Sequence, residues 1–273
     1  MKRLVVALVF FPIFYLLVTF RNPVLFFLFI LLVSSVGLFE FYCLFFKERR
    51  ISVLFIGEIL SLLLLGGFFF QGVDLKGLEK LSNPFFLSSI VSVVFLVFLA
   101  CHLLTERSSF FLSVSVMGMG LIYVPWFLGH LVLIRLLEHG PEYIFLLAMI
   151  TWGTDSGALF VGKLMGKRKL APSISPNKTV EGALGGLILG VGLALLARLW
   201  FLPFLPFRAT VILALVLSVA GQIGDLVESM FKRANQVKDS SQLLPGHGGI
   251  LDKIDSFIFT GPLLYYSLTY FFP

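Results

Sequence analysis

The chain is 273 residues long, 58% hydrophobic and only 13% charged, with 32 Phe and a mean hydropathy of +1.00. That excludes a water-soluble globular domain, in which about a quarter of residues are charged. A net charge of +6 on so apolar a chain fits basic loops at a membrane surface, not a nucleic-acid partner.

The apolar runs are about 17 to 25 residues long, enough to cross a hydrocarbon layer of roughly 30 Å at a rise of 1.5 Å per residue. They lack the period-2 alternation of a transmembrane β-barrel. The expected fold class is therefore all-α, a polytopic integral membrane helical bundle. Cys43 and Cys101 lie inside apolar runs and read as small buried hydrophobes. Lys2-Arg3 followed by Leu4 to Phe20 has the outline of a secretory signal, but no small-residue cleavage site follows, so a retained first helix is expected.

Nine spans are predicted, near 4–20, 24–46, 51–70, 84–104, 109–134, 141–162, 180–200, 207–229 and 254–272, with a kink at Pro125 in the fifth. Residues 1–140 then form a structural N-terminal set of helices, and 141–273 a C-terminal set whose loops carry the chemistry. The N-terminus shares a side with loops 47–50, 105–108, 163–179 and 230–253. That side holds fifteen Lys and Arg against six on the other, so by the positive-inside rule it faces the cytoplasm.

Spans one to five carry little chemistry. Glu40 and Glu58 are intramembrane carboxylates, each read as lying near a span end or paired within the bundle. His102, His130 and His139 have no second ligand at metal spacing and read as structural. From span six the character changes. Asp155 stands beside Ser156 and Gly157 in an apolar helix, which marks a packed polar face. Lys163, Lys167, Arg168, Lys169 and Lys178 then interleave with Ser173, Ser175, Asn177 and Thr179, and Glu181 follows at the entry to span seven. Hydroxyls, ammonium groups and a helix N-terminus are the parts of a polyphosphate cradle. Within span seven, Gly182, Gly186, Gly190 and Ala194 repeat every four residues and let another helix come close, in the same subunit or a second one.

The stretch from Gln222 to Ser256 is a polar island between two lipid-compatible segments. Gln222, Asp225 and Ser229 fall at i, i+3 and i+7 of span eight, with Glu228 three residues beyond Asp225, and Asp252 and Asp255 repeat that spacing at the entry to span nine. Two carboxylate pairs on neighbouring helices suit one hard cation such as Mg2+, which takes carboxylates, water and phosphate oxygens. The alternative is a buried network in which Asp225 or Asp255 pairs with Arg233, Lys238 or Lys253. In Pro245-Gly246-His247-Gly248-Gly249, glycines free the backbone to turn N–H groups toward phosphate, and His247 can donate to a phosphate oxygen or a leaving group.

The run Ser229, Lys232-Arg233, Lys238-Asp239, Pro245 to Gly249, Asp252 and Asp255 resembles the signature of the phosphatidate cytidylyltransferases, also called CDP-diacylglycerol synthases. Asp155 to Ala158, Lys169 to Pro172, Ser175 to Thr179, Glu181-Gly182 and Gln222 to Ser229 are similar to further blocks of that family. The resemblance is close over about residues 150–256. Lys253 stands where the family usually has Arg, keeping the charge without the bidentate geometry, and Asn177 where Lys is common. The resemblance implies a membrane enzyme, often dimeric, that converts CTP and phosphatidate to CDP-diacylglycerol and pyrophosphate with Mg2+, with room for a second cation such as K+. The roles expected on this basis place Asp225, Asp252 and Asp255 on the metal, with Glu228 and Asp239 as ligands or neighbours of ligands. Lys169, Lys178 and Lys238 neutralise the triphosphate. Arg233 or Lys232 takes a lipid or nucleotide phosphate, and Gly246, Gly248 and Gly249 mould to phosphate beside His247. Asp155 and Glu181 orient lysines, with Gln222 and Ser229 in support. Two other readings of the same residues are a CTP-dependent polyprenol or phytol kinase and a cation-coupled transporter.

Overall fold

The computed structural model describes residues 2–46, 51–73, 84–102, 110–243 and 248–272. The apolar runs become helices: α1 (Lys2–Thr19), α2 (Val24–Phe45), α3 (Ile51–Gly72), α4 (Pro84–His102), α5 (Phe110–Leu121), α6 (Phe127–Leu136), α7 (Gly140–Met165), α8 (Val180–Trp200), α9 (Phe207–Ala234) and α10 (Leu251–Tyr266). A π-helical turn, Ile122–Trp126, joins α5 to α6 and contains Pro125. A proline removes one helical N–H and crowds the carbonyl four residues back, and a wider turn accommodates both. A second π segment, Ser267–Phe271, continues α10. Counting each joined pair once, the described residues form nine helical rods at the expected positions. Six apolar stretches, at 24–45, 54–72, 111–136, 140–165, 180–200 and 207–234, are long enough to cross a membrane by length and composition. The all-α membrane architecture holds, with one small addition: Lys169–Ala171 and Ser175–Thr179 pair as antiparallel strands β1 and β2.

The chain divides into two compact units, one of residues 1–138 and 239–251, the other of residues 139–238 and 252–273. In the first, Phe26, Leu38, Phe41, Tyr42, Phe68 and Met117 are fully buried. The Tyr42 hydroxyl donates to the Met117 carbonyl at 3.1 Å, so the one polar atom of a buried ring is satisfied. His130 packs edge-on against Phe68 and Trp126, its Nδ1 3.0 Å from the Trp126 carbonyl, a structural histidine as expected. Glu58 is half-buried and hydrogen-bonded by Ser35. The side chains of Cys101 and His102 lie outside the described residues.

The second unit is built on small residues. A Cβ on Gly157 would lie 2.6 Å from the Gly185 carbonyl oxygen, and one on Gly186 would lie 2.7 Å from that of Thr154. Glycine therefore lets α7 and α8 touch backbone to backbone, and the four-residue ladder of span seven faces another helix of the same chain. The Thr154 hydroxyl donates to Ser218 at 2.8 Å and ties α7 to α9. At the start of α7, His139 adopts a left-handed φ of 59° and stacks on Phe204 at 4.3 Å. Leu184, Ile188, Leu199 and Trp200 of α8 are exposed.

Candidate active site

The site lies at the close approach of α9 and α10. A Cβ on Gly224 would lie 2.6 Å from the Asp255 carbonyl oxygen, and the Ser256 hydroxyl donates to the Gly221 carbonyl at 3.3 Å. The small faces of Gly221 and Gly224 thus draw α10 against α9, and the helical spacing then sets Asp225 and Glu228 beside Asp255. One carboxylate oxygen from each of these three residues lies within 4.8 Å of the others. Glu228 is fully buried, Asp255 is 8% exposed, and Asp225 opens partly to solvent.

Cations flank this group. The Lys178 ammonium reaches Asp225 at 2.8 Å, and Lys232 pairs with Glu228 and, at 2.6 Å, with Asp252. Asp252 therefore balances Lys232, and the three-carboxylate group forms from Asp225, Glu228 and Asp255. Asp155 feels the charges of Asp225, Lys178 and Lys253, and Asp255 those of Asp225, Asp155 and Lys232, so the acidic residues of three helices share one electrostatic neighbourhood. Among the described residues no backbone N–H donates to Glu228, which leaves a buried carboxylate with acceptor capacity to spare. These residues suit a hard divalent ion. All donors are carboxylate oxygens, the ligand type a hard cation takes. A cysteine or histidine that would favour zinc is missing from the group.

The β1–β2 hairpin supplies the basic side. Lys169 pairs in register with Thr179, and Ala171 with Ser175, so Lys169 and Lys178 project from adjoining strands. Thr179 is the N-cap of α8, its hydroxyl accepting from the Gly182 N–H at 3.1 Å. Glu181 accepts from the backbone N–H groups of Lys167 and Arg168 at 2.9 and 3.1 Å. It thus holds the turn into the hairpin through main chain, where sequence suggested an oriented lysine side chain. Gln222 donates to the Ala183 carbonyl at 3.3 Å, and the Ser229 hydroxyl stands 3.5 Å from Asp225 Oδ1. Arg233 donates to the carbonyls of Ile174 and Val237 at 3.2 and 3.1 Å. Lys169, Lys238 and Lys253 are exposed.

Three expected site residues belong to the other unit. Asp239 is exposed there, Gly248 has a left-handed φ of 82° that requires glycine, and Gly249 is buried. Gly246 and His247 lie outside the described residues. The Lys178–Asp225 pair has no signature in sequence, because those residues are 47 positions apart and the hairpin brings them together.

Residues 1–271 match the model of the cytidylyltransferase family. A phosphatidate cytidylyltransferase of Bacillus subtilis is 39% identical over 243 residues, covering 87% of this chain and 86% of its own. Those of Staphylococcus saprophyticus and Staphylococcus aureus are 42% and 44% identical over 186 and 180 residues, covering 67% and 65% of this chain and 69% and 67% of theirs. With a family match running the length of the chain and relatives of that name 39–44% identical, this integral membrane protein belongs to the phosphatidate cytidylyltransferase family of enzymes.

Proposed function

We propose that the chain transfers the cytidylyl group of CTP to phosphatidate with Mg2+ at the cytoplasmic face of the membrane, leaving CDP-diacylglycerol in the bilayer and releasing pyrophosphate. The observation that carries this reading is the group of Asp225, Glu228 and Asp255, within 4.8 Å of one another and flanked by Lys178 and Lys232. A phosphatidate oxygen attacks the α-phosphorus of CTP. One P–O bond forms there as the bond to the departing pyrophosphate breaks. Phosphatidate is already an anion at neutral pH, so no strong base is required. The demand is to bring two polyanions together and to neutralise the leaving group.

Mg2+ held by Asp225, Glu228 and Asp255 would supply charge neutralisation at the triphosphate. Lys178 has three donors, enough to keep Asp225 and meet a phosphate oxygen. Lys169 and Lys238 extend the cationic surface. Asp252 and Lys232 together fix Glu228. Arg233, anchored on two carbonyls, offers its remaining N–H groups to a lipid or nucleotide phosphate. His247, with Gly246 before it, donates to phosphate. Residues 141–273 carry the reacting groups and the first 140 residues serve as scaffold. The excess of Lys and Arg on the loops that bear the site supports a cytoplasmic orientation.

The test is the purified protein in lipid–detergent micelles with phosphatidate, Mg2+ and CTP labelled at the α-phosphate. Label entering lipid, matched by pyrophosphate release, is the expected result. Lipid gaining only the γ-phosphate would make the chain a CTP-dependent lipid kinase. Solute flux in proteoliposomes without nucleotide turnover would make it a transporter.

A further inference from the structure

Glu40 sits near the C-terminal end of α2, in an otherwise apolar helix, and is 3% exposed. Four donors converge on its carboxylate. Oε1 accepts from the Ser241 hydroxyl at 2.6 Å and the Ile250 N–H at 3.1 Å. Oε2 accepts from the Ser240 hydroxyl at 3.1 Å and the Leu251 N–H at 2.8 Å. Two donors on each oxygen fill the acceptor capacity of a carboxylate. All five residues belong to one compact unit.

The donors come in two pairs, Ser240 with Ser241 and Ile250 with Leu251, on either side of residues 242–249. A single side chain therefore closes both ends of the glycine-rich segment. Gly249 fits this arrangement, since a Cβ there would lie 2.7 Å from the Glu40 carboxyl carbon. The last glycine of the motif makes room for Glu40, whereas its residue type alone suggested contact with phosphate. Leu251 is the first residue of α10. Its N–H and that of Ile250 are among the unpaired donors of a helix start, and a carboxylate there is favoured by hydrogen bonding and by the helix dipole. Glu40 acts as the cap of α10 from a helix more than 200 positions earlier in the chain. Asp252 and Asp255 lie in the first turns of that helix.

We propose that Glu40 is a positioning residue for the transfer reaction. It pins both ends of the 242–249 segment and fixes the start of the helix that carries Asp252 and Asp255. This rests on the reading of the site given above, so its test has one arm that does not depend on turnover. In the Glu40→Gln protein, amide hydrogen exchange at Ile250 and Leu251 is expected to rise sharply while the amides of α8 keep their protection. The value of kcat/KM with CTP and phosphatidate is expected to fall by about ten- to a hundredfold, the range for residues that orient metal ligands. Glu40→Asp, which keeps the charge, should restore part of both.

Unchanged exchange at Ile250 and Leu251 would overturn the clamp. Raised exchange with wild-type kcat/KM in the folded protein would overturn the positioning role. If Glu40→Gln fails to insert, Ser241→Ala removes one donor and should give the same two changes on a smaller scale, and no change in either measurement would be equally decisive. Absence of turnover in the unaltered protein would fail the functional reading alone, because the exchange comparison still stands.

Discussion

Two carboxylate sites in this chain are built on opposite principles, one closed around Glu40 and the other open to solvent at Asp225. At Glu40 one carboxylate meets four hydrogen-bond donors and every acceptor position is filled. At Asp225, Glu228 and Asp255 three carboxylates crowd together with fewer neutral donors than they could use. At an effective dielectric of 20, two like charges at that spacing repel by about 3 kcal/mol, less where Asp225 opens to solvent. Lys178 and Lys232 offset part of that cost. A saturated carboxylate stabilises its surroundings and has nothing left to bind. A crowded one is held at a cost that a cation relieves, which identifies a functional site more firmly than an acidic residue inside a membrane does.

The sharpest way to break this contrast is to remove one charge from the crowded group. Asp255→Asn is expected to cut pyrophosphate release at least roughly a hundredfold, since a ligand should matter no less than the groups that orient it. The same change relieves repulsion, so without divalent ions the variant should melt no lower than the parent protein. Mg2+ or Mn2+ should stabilise the parent by mass action, by about 2.7 kcal/mol at a hundred times Kd, read as a higher Tm, and should leave the variant unmoved. A variant that lost activity and still gained Tm with the ion would detach Asp255 from the metal.

Next in size is the ion pair that steadies the group. Lys232 is nearly buried between Glu228 and Asp252, with side-chain exposures of 12%, 1% and 10%. Lys232→Met strands two buried carboxylates and is expected to cost about 3 kcal/mol, read as a lower Tm in the same detergent. Adding Glu228→Gln should recover a good part of it, the signature of coupled neighbours. Additive losses would mean that Lys232 works elsewhere.

Much of this was legible in the sequence, and the reasons differ between the two sites. Helical spacing singles out two carboxylate pairs, and the sequence reading puts Asp225, Asp252 and Asp255 on the metal with Glu228 as a ligand or a neighbour, whereas Asp252 pairs with Lys232 and Glu228 joins Asp225 and Asp255. Local periodicity is what sequence shows best. Glu40 reads from sequence as lying near a span end or paired within the bundle, and it is both, but its partners carry no sequence signal, because the contact spans about 200 residues and has no period. One clue was present. Glu40 lies just before Lys47, Arg49 and Arg50, on the membrane face assigned to the polar island. The β1–β2 hairpin was missed for a related reason. Its strands are short and hold a proline and two lysines rather than alternating apolar residues, and what fixes them is Glu181 and the cap at Thr179.

A smaller effect separates scaffold from site. Gly186→Ala pushes a methyl to 2.7 Å from the Thr154 carbonyl and 3.2 Å from the Ala158 Cβ, so α7 and α8 must part slightly. Overpacking of this kind costs about 1–3 kcal/mol. The Tm should fall while the activity of the remaining folded protein and its response to Mg2+ stay near those of the parent. A loss of kcat in folded protein would show that the packing of these helices sets the geometry of the carboxylates on α9.

The smallest expected effect is at Glu181, which is partly exposed and accepts from the backbone amides of Lys167 and Arg168. Both amides donate to Oε2, and only the longer 3.3 Å contact from Arg168 reaches Oε1, so Glu181→Gln with its carbonyl oxygen in the Oε2 place keeps both partners but loses the charge and the Oε1 contact. The hairpin then enters less firmly from α7, and Lys169 and Lys178 spend less time where a triphosphate would meet them. Because the residue neither binds the metal nor faces the reacting phosphorus, the change should appear as a KM for CTP raised about two- to fivefold, the size of one modest hydrogen bond, with kcat nearly unchanged. A fall in kcat at constant KM would place Glu181 in the chemistry itself, and the division between residues that shape the hairpin and residues that meet the reaction would have to be redrawn.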